Sequence, residues 1–524
     1  MKKSLLSEEK NKILDFAVGC EHIYIYGAGN FGKCYLDLLQ QYGYDADGFI
    51  VTKKHALECL GKPIYTIEEI VENISAKDGV IPAFTNSDVQ EIVHKFTKEK
   101  PQILDFDHKI MLSLENEIHF FPLLDELDKE YPQLEKKIDL SEWKSILLVR
   151  LEAIGDAIFT TPFIRELRKS FPESRISVVL RKQNQKILAD CPYIDQLFLY
   201  DSELLDGEVA EQSQNYREHS KKIRRFTDKI FHEREFDVVF LSRELLCGRN
   251  TMDELLIAYY SKARYRIGRM LINGLDKQHL LKRLQDSFTF IANPSEPMHE
   301  AAYALDLLKQ CGCKIDDERM ELWVSPQCER RSAQILEAYH VEKYQILIAL
   351  GIVASVATRT WKIENYNQII RHYGENLGDK IGFVIMGGKD AEDTAKQLDH
   401  SYGNIINLAG KTDLDETAVC MRRCHLYVGS NTGLLHFASA FGVPSVTIYS
   451  ELSDGKPTDG DSPLRMGAWK VPHIDLVPPA GLDGCHGACR MKFSHCINQI
   501  TPKQVIDSIN QLMNICDKGN HKGD

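Results

Sequence analysis

No secretory leader is expected: Met1-Lys-Lys is followed by Glu8, Glu9 and Lys10, with no apolar core of the length a signal peptide requires. It also lacks a basic excess. The 64 Lys and Arg against 76 Asp and Glu leave a net charge of −12, which argues against a general nucleic-acid binder, because phosphate backbones are held by basic surfaces. There is no short repeat and no low-complexity tract. One stretch without Lys, Arg, Asp or Glu, Leu426 to Ser450, is long enough to cross a bilayer, but Asn431, its glycines and Pro444 make it read as strand–turn–helix–turn–strand. No transmembrane span is expected. The 14 cysteines are scattered apart from one late cluster, which, with no leader expected, predicts reduced thiols and a cytoplasmic location.

At 524 residues, 43% hydrophobic and 27% charged, the composition is that of a soluble protein too long for one core. Two glycine turns stand out. In Ser145-Ile-Leu-Leu-Val-Arg-Leu-Glu-Ala-Ile-Gly-Asp156 an apolar run of strand length meets a turn, and an amphipathic helical pattern then runs through Arg168. This sets the Asp156 carboxylate at the carboxyl edge of a parallel sheet, where open α/β folds bind ligands. Gly429-Ser-Asn-Thr-Gly433 joins a second strand to a second helix. Together they predict a cleft between two Rossmann-like lobes, with a carboxylate on one wall and a phosphate cradle on the other.

Candidate strands at Ile146–Val149, Ile176–Leu180 and Asp237–Leu241, then at Ile346–Leu350, Phe383–Met386, Leu426–Val428 and Ser445–Tyr449, alternate with helical patterns. That alternation implies α/β lobes with parallel sheets. A smaller α/β unit precedes them, with strands at His22–Tyr26 and Ala46–Val51, a short helix over residues 1–20 and further short elements to about Asp105. The expected organisation is an accessory Rossmann-like domain over 1–107, a charged linker over 108–143, an N-terminal lobe over 144–325 with a charged, helical insertion at 202–235, and a C-terminal lobe over 326–524 ending in a helix from Pro502.

Several motifs in order resemble the heptosyltransferase family, glycosyltransferase family 9. They are Ile146 to Asp156 with Thr160-Thr-Pro162 and Arg165-Glu-Leu-Arg168; His299-Glu300; Gly387-Gly388; Asn407-Leu-Ala-Gly-Lys-Thr-Asp-Leu414; and Gly429-Ser-Asn-Thr-Gly-Leu-Leu-His436 with Ala438 to Pro444. The resemblance covers roughly 145–515. It implies the GT-B architecture and an inverting, metal-independent transfer of a heptose or related sugar from a nucleotide-activated donor, often ADP-heptose. The acceptor would be a lipopolysaccharide or another cell-envelope glycan. No cofactor is implied beyond the donor substrate. If the acceptor is lipid-linked, the work is done peripherally at the inner face of the membrane.

By resemblance Asp156 is the general base, and the local reading set against it is a helix-capping carboxylate. Thr432, Gly433 and Leu434 open a helix whose unpaired N–H groups and dipole suit a diphosphate, against an ordinary Asn-Thr-Gly turn. His436, one turn on, is a core histidine or an orienting group. Asn431 stands where the family usually has Asp: the amide still donates and accepts, but a charge is lost, which puts ADP-heptose itself in question. Arg359 occupies the place of a diphosphate-binding basic residue, with Lys362 behind it, where Trp361-Lys362 replaces the usual Trp-Pro. Of Asp390 and Glu392, Glu392 is favoured for the ribose hydroxyls.

In the first domain Gly27-Ala-Gly29-Asn-Phe-Gly32 matches a dinucleotide fingerprint in strand–turn–helix context. The acidic residue that NAD binding needs about 20 positions later is missing from Ile50-Val-Thr-Lys53. The segment resembles the nucleotide-sugar-binding domain before some sugar acyltransferases, with Val51 where that family often has Asp; the alternative is a structural unit that binds nothing. Cys485, Cys489 and Cys496, beside His486 and His495, have the residue types of a zinc site but not the Cys-x2-Cys spacing, and reduced thiols lining a loop are the expectation there. The rival to a transferase is a catalytically degenerate scaffold that binds sugar nucleotide or glycan. Asn431 points towards it and Asp156 points away.

Overall fold

The computed structural model describes residues 5–71, 73–83, 96, 100–104, 120–131, 134–201, 216–232, 234–244, 249–270, 283–294, 296–459, 461–482, 485–489, 491 and 493–520. Residues 108–119 of the expected linker, 202–215 of the expected insertion and Asp105 lie outside them. Two compact units emerge: Met1–Lys137 with Ser202–Glu235 and Leu245–Ile291, and Ile138–Asp201 with Phe236–Glu244 and Ala292–Asp524.

The first unit holds strands β1 (Ile23–Tyr26), β2 (Gly48–Val51), β3 (Glu58–Cys59), β4 (Lys62–Thr66), β5 (Gly79–Pro82) and β6 (Gln102–Ile103) in the order β3-β4-β2-β1-β5-β6. All its pairs are parallel except the β3–β4 hairpin. Ile25, Phe49 and Ile81 are fully buried in its core. The stretch expected as linker contains the helix Phe121–Glu130. Its Asp128 accepts hydrogen bonds from Tyr259 Oη (2.6 Å), Ser287 Oγ (2.9 Å) and Arg283 Nη1 (3.1 Å), and its Glu126 pairs with Arg217 of the helix Tyr216–Phe231 (2.5 Å). These partners lie some ninety to one hundred and sixty residues away in sequence, so composition alone could not associate them.

The second unit carries two parallel sheets. In one, β7 (Ser145–Arg150), β8 (Arg175–Arg181), β9 (Gln196–Tyr200) and β10 (Val238–Glu244) run in the order β10-β7-β8-β9. After β11 (Tyr265–Arg269) and β12 (Phe290–Ala292), the other is built from β13 (Ile346–Gly351), β14 (Ile381–Met386), β15 (Ile405–Asn407), β16 (Leu426–Ser430), β17 (Ser445–Ile448) and β18 (His473–Leu476), in the order β15-β14-β13-β16-β17-β18. Every pair of that sheet is parallel. Parallel sheets are covered on both faces, which is why Ile146–Val149 reads as one apolar run and all four residues are fully buried. The same logic exposed β13, β14, β16 and β17 in the sequence. The short edge strands β9, β15 and β18 carried no such signal.

The pattern from Asp156 through Arg168 is two helices, Ile154–Phe159 and Thr161–Ser170. Pro162 explains the break, since a proline has no N–H to give to a preceding turn and is tolerated only in a first turn. The stretch 426–450 folds as β16, the helix Gly433–Ala440 and β17. Among the described residues no helix is long and apolar enough to cross a membrane.

Candidate active site

Asp156 is the third residue of the helix that follows β7. Its Oδ2 accepts from the backbone N–H of Ala153 (3.2 Å), so the capping role weighed from the sequence is real, but it is served from inside the first turn. Oδ1 faces Arg150 Nη2 at 3.3 Å. Arg150, from the end of β7, also pairs with Glu152 (2.9 Å), and Glu152 pairs with Arg243 of β10 (3.0 Å). Only 19% of the Asp156 side chain is exposed. Burial pushes its pKa well above the ordinary carboxylate range; Glu152 and Glu300 push the same way, against Arg150 and Arg243. Glu300 is itself clamped by Arg465, whose Nε donates to it at 2.9 Å.

The opposing wall is the turn after β16. Asn431 is buried, Thr432 is the extended residue before the helix, and Gly433 and Leu434 open it. Tyr427 fixes this turn from beneath: its hydroxyl donates to the Ser430 carbonyl (2.9 Å) and lies 3.4 Å from Thr432 Oγ1. Room for that hydroxyl comes from two glycines, because a Cβ on either Gly351 or Gly429 would lie 2.5 Å from it. Tyr427 and Gly351 were not singled out in the sequence; Gly429 was, and it lies in register with Gly351 on the neighbouring strand.

The two turns meet. A Cβ on Gly155 would stand 2.5 Å from His436 Cδ2, and one on Gly433 would stand 3.5 Å from Ile154 Cγ2. His436 is buried edge-on against Phe159 (ring centroids 4.4 Å), and its Nδ1 has no hydrogen-bond partner among the described residues. Burial lowers its pKa to about 3 and that of His299 to about 4, so both rings are neutral. His299 Nδ1 accepts from the Ala301 N–H (3.1 Å) and Nε2 donates to the Gly467 carbonyl (3.0 Å), while its ring stacks on Trp469 at 4.5 Å.

Between the walls lies a cavity of about 730 Å³. Asp156, Arg359, Asn431, Thr432, Gly433, Leu434 and His436 all line it. Arg359 is paired with Asp461, and Lys186 of the first lobe reaches Asp415 of the second at 2.8 Å. Two of the residues expected there are elsewhere. Lys362 is exposed and does not line the cavity; its neighbour Trp361 turns inward and donates to the Ile500 carbonyl (3.0 Å). Glu392 lies against Gly410, whose left-handed backbone (φ +68°) leaves space that a Cβ would take from Glu392 Oε1 at 2.0 Å. Asp390 lines the cavity in its stead. Sequence reasoning missed Lys186, Glu152, Arg243 and Arg465, all of which act through partners on other elements.

The profile of glycosyltransferase family 9 (heptosyltransferase) matches residues 262–463. Over those residues the chain is similar to that family. Lipopolysaccharide heptosyltransferase 3 of Escherichia coli (strain K12) is 22% identical to it over 301 residues, covering 56% of this chain and 79% of that protein. A family 9 glycosyltransferase structure from Veillonella parvula superposes with a TM-score of 0.55 at 20% identity, over 72% of this chain and 98% of that one. The E. coli ADP-heptose lipopolysaccharide heptosyltransferase II structure gives 0.50 at 16% identity, over 71% and 99%. Over the matched span the fold of this chain is therefore GT-B, and β1 to β6 form a small α/β domain.

That small domain carries Gly27, Gly29 and Gly32 where β1 meets the helix Asn30–Gln41. Gly27 has φ +117°, and a Cβ on Gly32 would lie 1.9 Å from the Gly27 carbonyl oxygen. Gly27 thus serves the tight turn and Gly32 the close packing of helix on strand. Cys485, Cys489 and Cys496 come together at a point that is not on the cavity, joined by His495 and not by the exposed His486, whose nearest carboxylate is Asp454 at 3.8 Å.

Proposed function

We propose that this protein is a family 9 enzyme that transfers a heptose or a closely related sugar from an ADP-heptose-like donor to a lipopolysaccharide or other cell-envelope glycan, with inversion and without a metal at the reacting centre. The observation that carries the reading is a carboxylate of raised pKa on the same 730 Å³ cavity as the amides of Thr432, Gly433 and Leu434. Asp156 takes the proton of the acceptor hydroxyl as its oxygen attacks the anomeric carbon; a base whose pKa lies nearer the working pH is the more effective one. The bond to the nucleoside diphosphate breaks on the opposite face, through an oxocarbenium-like state. Charge gathers on the departing oxygen, where the helix N-terminus and the Arg359 guanidinium neutralise it. Asn431 offers a neutral amide to the sugar, and Asp390 is placed for the ribose. The ADP-heptose named for the E. coli heptosyltransferase II structure supports this substrate class. If the acceptor is lipid-linked, the enzyme works peripherally at the inner face of the membrane.

Purified protein is incubated with ADP-heptose and a panel of UDP-, GDP- and CDP-sugars, with mass-spectrometric detection of bound donor and of free nucleotide. Donor binding with turnover that Asp156→Asn lowers by ~10²–10⁴-fold supports the reading. Wild-type turnover in a folded Asp156→Asn variant overturns the base. Donor binding with no turnover over any acceptor favours the scaffold reading that Asn431 keeps open.

A further inference from the structure

Beyond the cavity, one cluster of side chains has no role in transfer. The candidate ligand atoms of Cys485, Cys489, His495 and Cys496 all lie within 4.8 Å of one another. His495 Nδ1 is 3.3 Å from Cys496 Sγ and 3.7 Å from Cys489 Sγ. None of the three cysteines forms a disulfide, and Cys485 and Cys496 are buried. Around a tetrahedral zinc with Zn–S bonds of about 2.3 Å, ligand atoms stand roughly 3.8 Å apart, so separations need change by about 1 Å at most to seat the ion. Three thiols and one imidazole are the donor set of a closed structural zinc site, which leaves no open position for substrate or water.

The backbone is shaped to hold the cluster. A Cβ on Gly481 would lie 1.6 Å from the Cys485 carbonyl oxygen, and Gly487 adopts a left-handed φ of +70°. The Leu452 N–H donates to the Gly487 carbonyl (2.9 Å), and the Gly487 N–H donates to Asp454 Oδ1 (3.1 Å). Leu452 packs directly on Cys485 and Cys496, with Cys489 at the edge. This stretch leads from β17 to Asp461, the partner of Arg359. On the other side, the turn Cys496–Gln499 packs against the turn Ala357–Arg359.

We infer that Cys485, Cys489, Cys496 and His495 bind one structural divalent ion of the zinc class, forming a knuckle that braces the segments carrying Arg359 and Asp461. The site binds metal and performs no chemistry. Its effect on the donor rests on the reading of Arg359 as a diphosphate ligand, whereas the metal binding does not.

The test uses the full chain, stripped with a chelator under reducing conditions, offered zinc and then dialysed. One zinc per chain by elemental analysis is expected. Mass-mapped alkylation should show Cys485, Cys489 and Cys496 protected with zinc and reactive without it. Cobalt(II) in place of zinc should give the visible spectrum of a tetrahedral thiolate site. Cys489→Ser and His495→Asn should each weaken retention at least about tenfold, since even outer partners of ligands are worth that much. If the proposed brace acts on Arg359, the stripped protein also binds ADP more weakly. Substoichiometric zinc with equal alkylation in both states overturns the site. This holds even if the variants misfold, because the wild-type protein supplies both readouts. Zinc binding with unchanged ADP affinity keeps the site and overturns only the brace.

Discussion

Two glycine turns of this chain look alike locally and differ in what faces them. Gly27 to Gly32 and Gly429 to Gly433 each join a buried parallel strand to a helix. At the first, Gly32 is consumed by packing: the space over it is filled by the Gly27 carbonyl and by Phe49, 3.2 Å from where a Cβ would sit. At the second, packing is delegated to Tyr427 beneath, and the helix entry opens onto a cavity with Asp156 on its far wall. A glycine turn is thus a permission for close approach, and what approaches is set by the opposing element.

The largest effect that sharpens this contrast is at Asp156, where Asn should lower turnover by ~10²–10⁴-fold, read as kcat with saturating donor. Because the Asp156 pKa is raised, the wild-type rate should fall as pH drops through a value well above the ordinary carboxylate range, and the Asn variant should lose that limb. The stability sign is opposite. Folded Asp156 holds its proton more tightly than the unfolded chain, so the wild type loses stability as pH rises from the unfolded pKa through the raised one. Asp156→Asn lacks that loss and leaves Arg150 paired with Glu152, so its Tm should gain on the wild type as pH rises through the same window. A variant Tm that falls relative to the wild type as pH rises through that window would refute the assignment.

Gly155→Ala comes next. Its methyl meets the His436 ring at 2.5 Å, with Phe159 and the helix behind, and should cost about 1–3 kcal/mol in chemical denaturation along with transfer activity. Arg359→Gln should weaken donor binding by about 1.5–3 kcal/mol, measured by calorimetry with ADP, with a smaller change for the acceptor. The smallest effect is predicted at Gly29→Ala, where a Cβ meets nothing within 4 Å. Stability should hold within about 0.5 kcal/mol and transfer should be unchanged. A loss of donor binding there would break the contrast between the two turns.

Much of the fold was legible because parallel strands buried on both faces leave unbroken apolar runs, as at Ile146–Val149 and Ile346–Leu350. Asp156, Asn431 and Thr432 to Leu434 were legible for the same reason, since each directly follows such a run. Edge strands such as Ile405–Asn407 were not, being short and half covered. Lys362 and Glu392 were placed by sequence neighbourhood. The first follows a tryptophan that turns into the core, and the second points at Gly410, two residues on from Asp390 on the cavity. Facing of this kind depends on local phase, which motif spacing does not carry.

By itself the sequence determined the two strand–turn–helix units, because hydrophobic period and glycine placement are local properties. Only tertiary structure decided that Gly155 would meet His436, that Tyr427 would buttress the turn after β16, and that His495 rather than His486 would join three thiols. The first depends on contact between residues distant along the chain and the others on how each loop folds back on itself, and the burial that gives Asp156 its raised pKa exists only once both walls are in place.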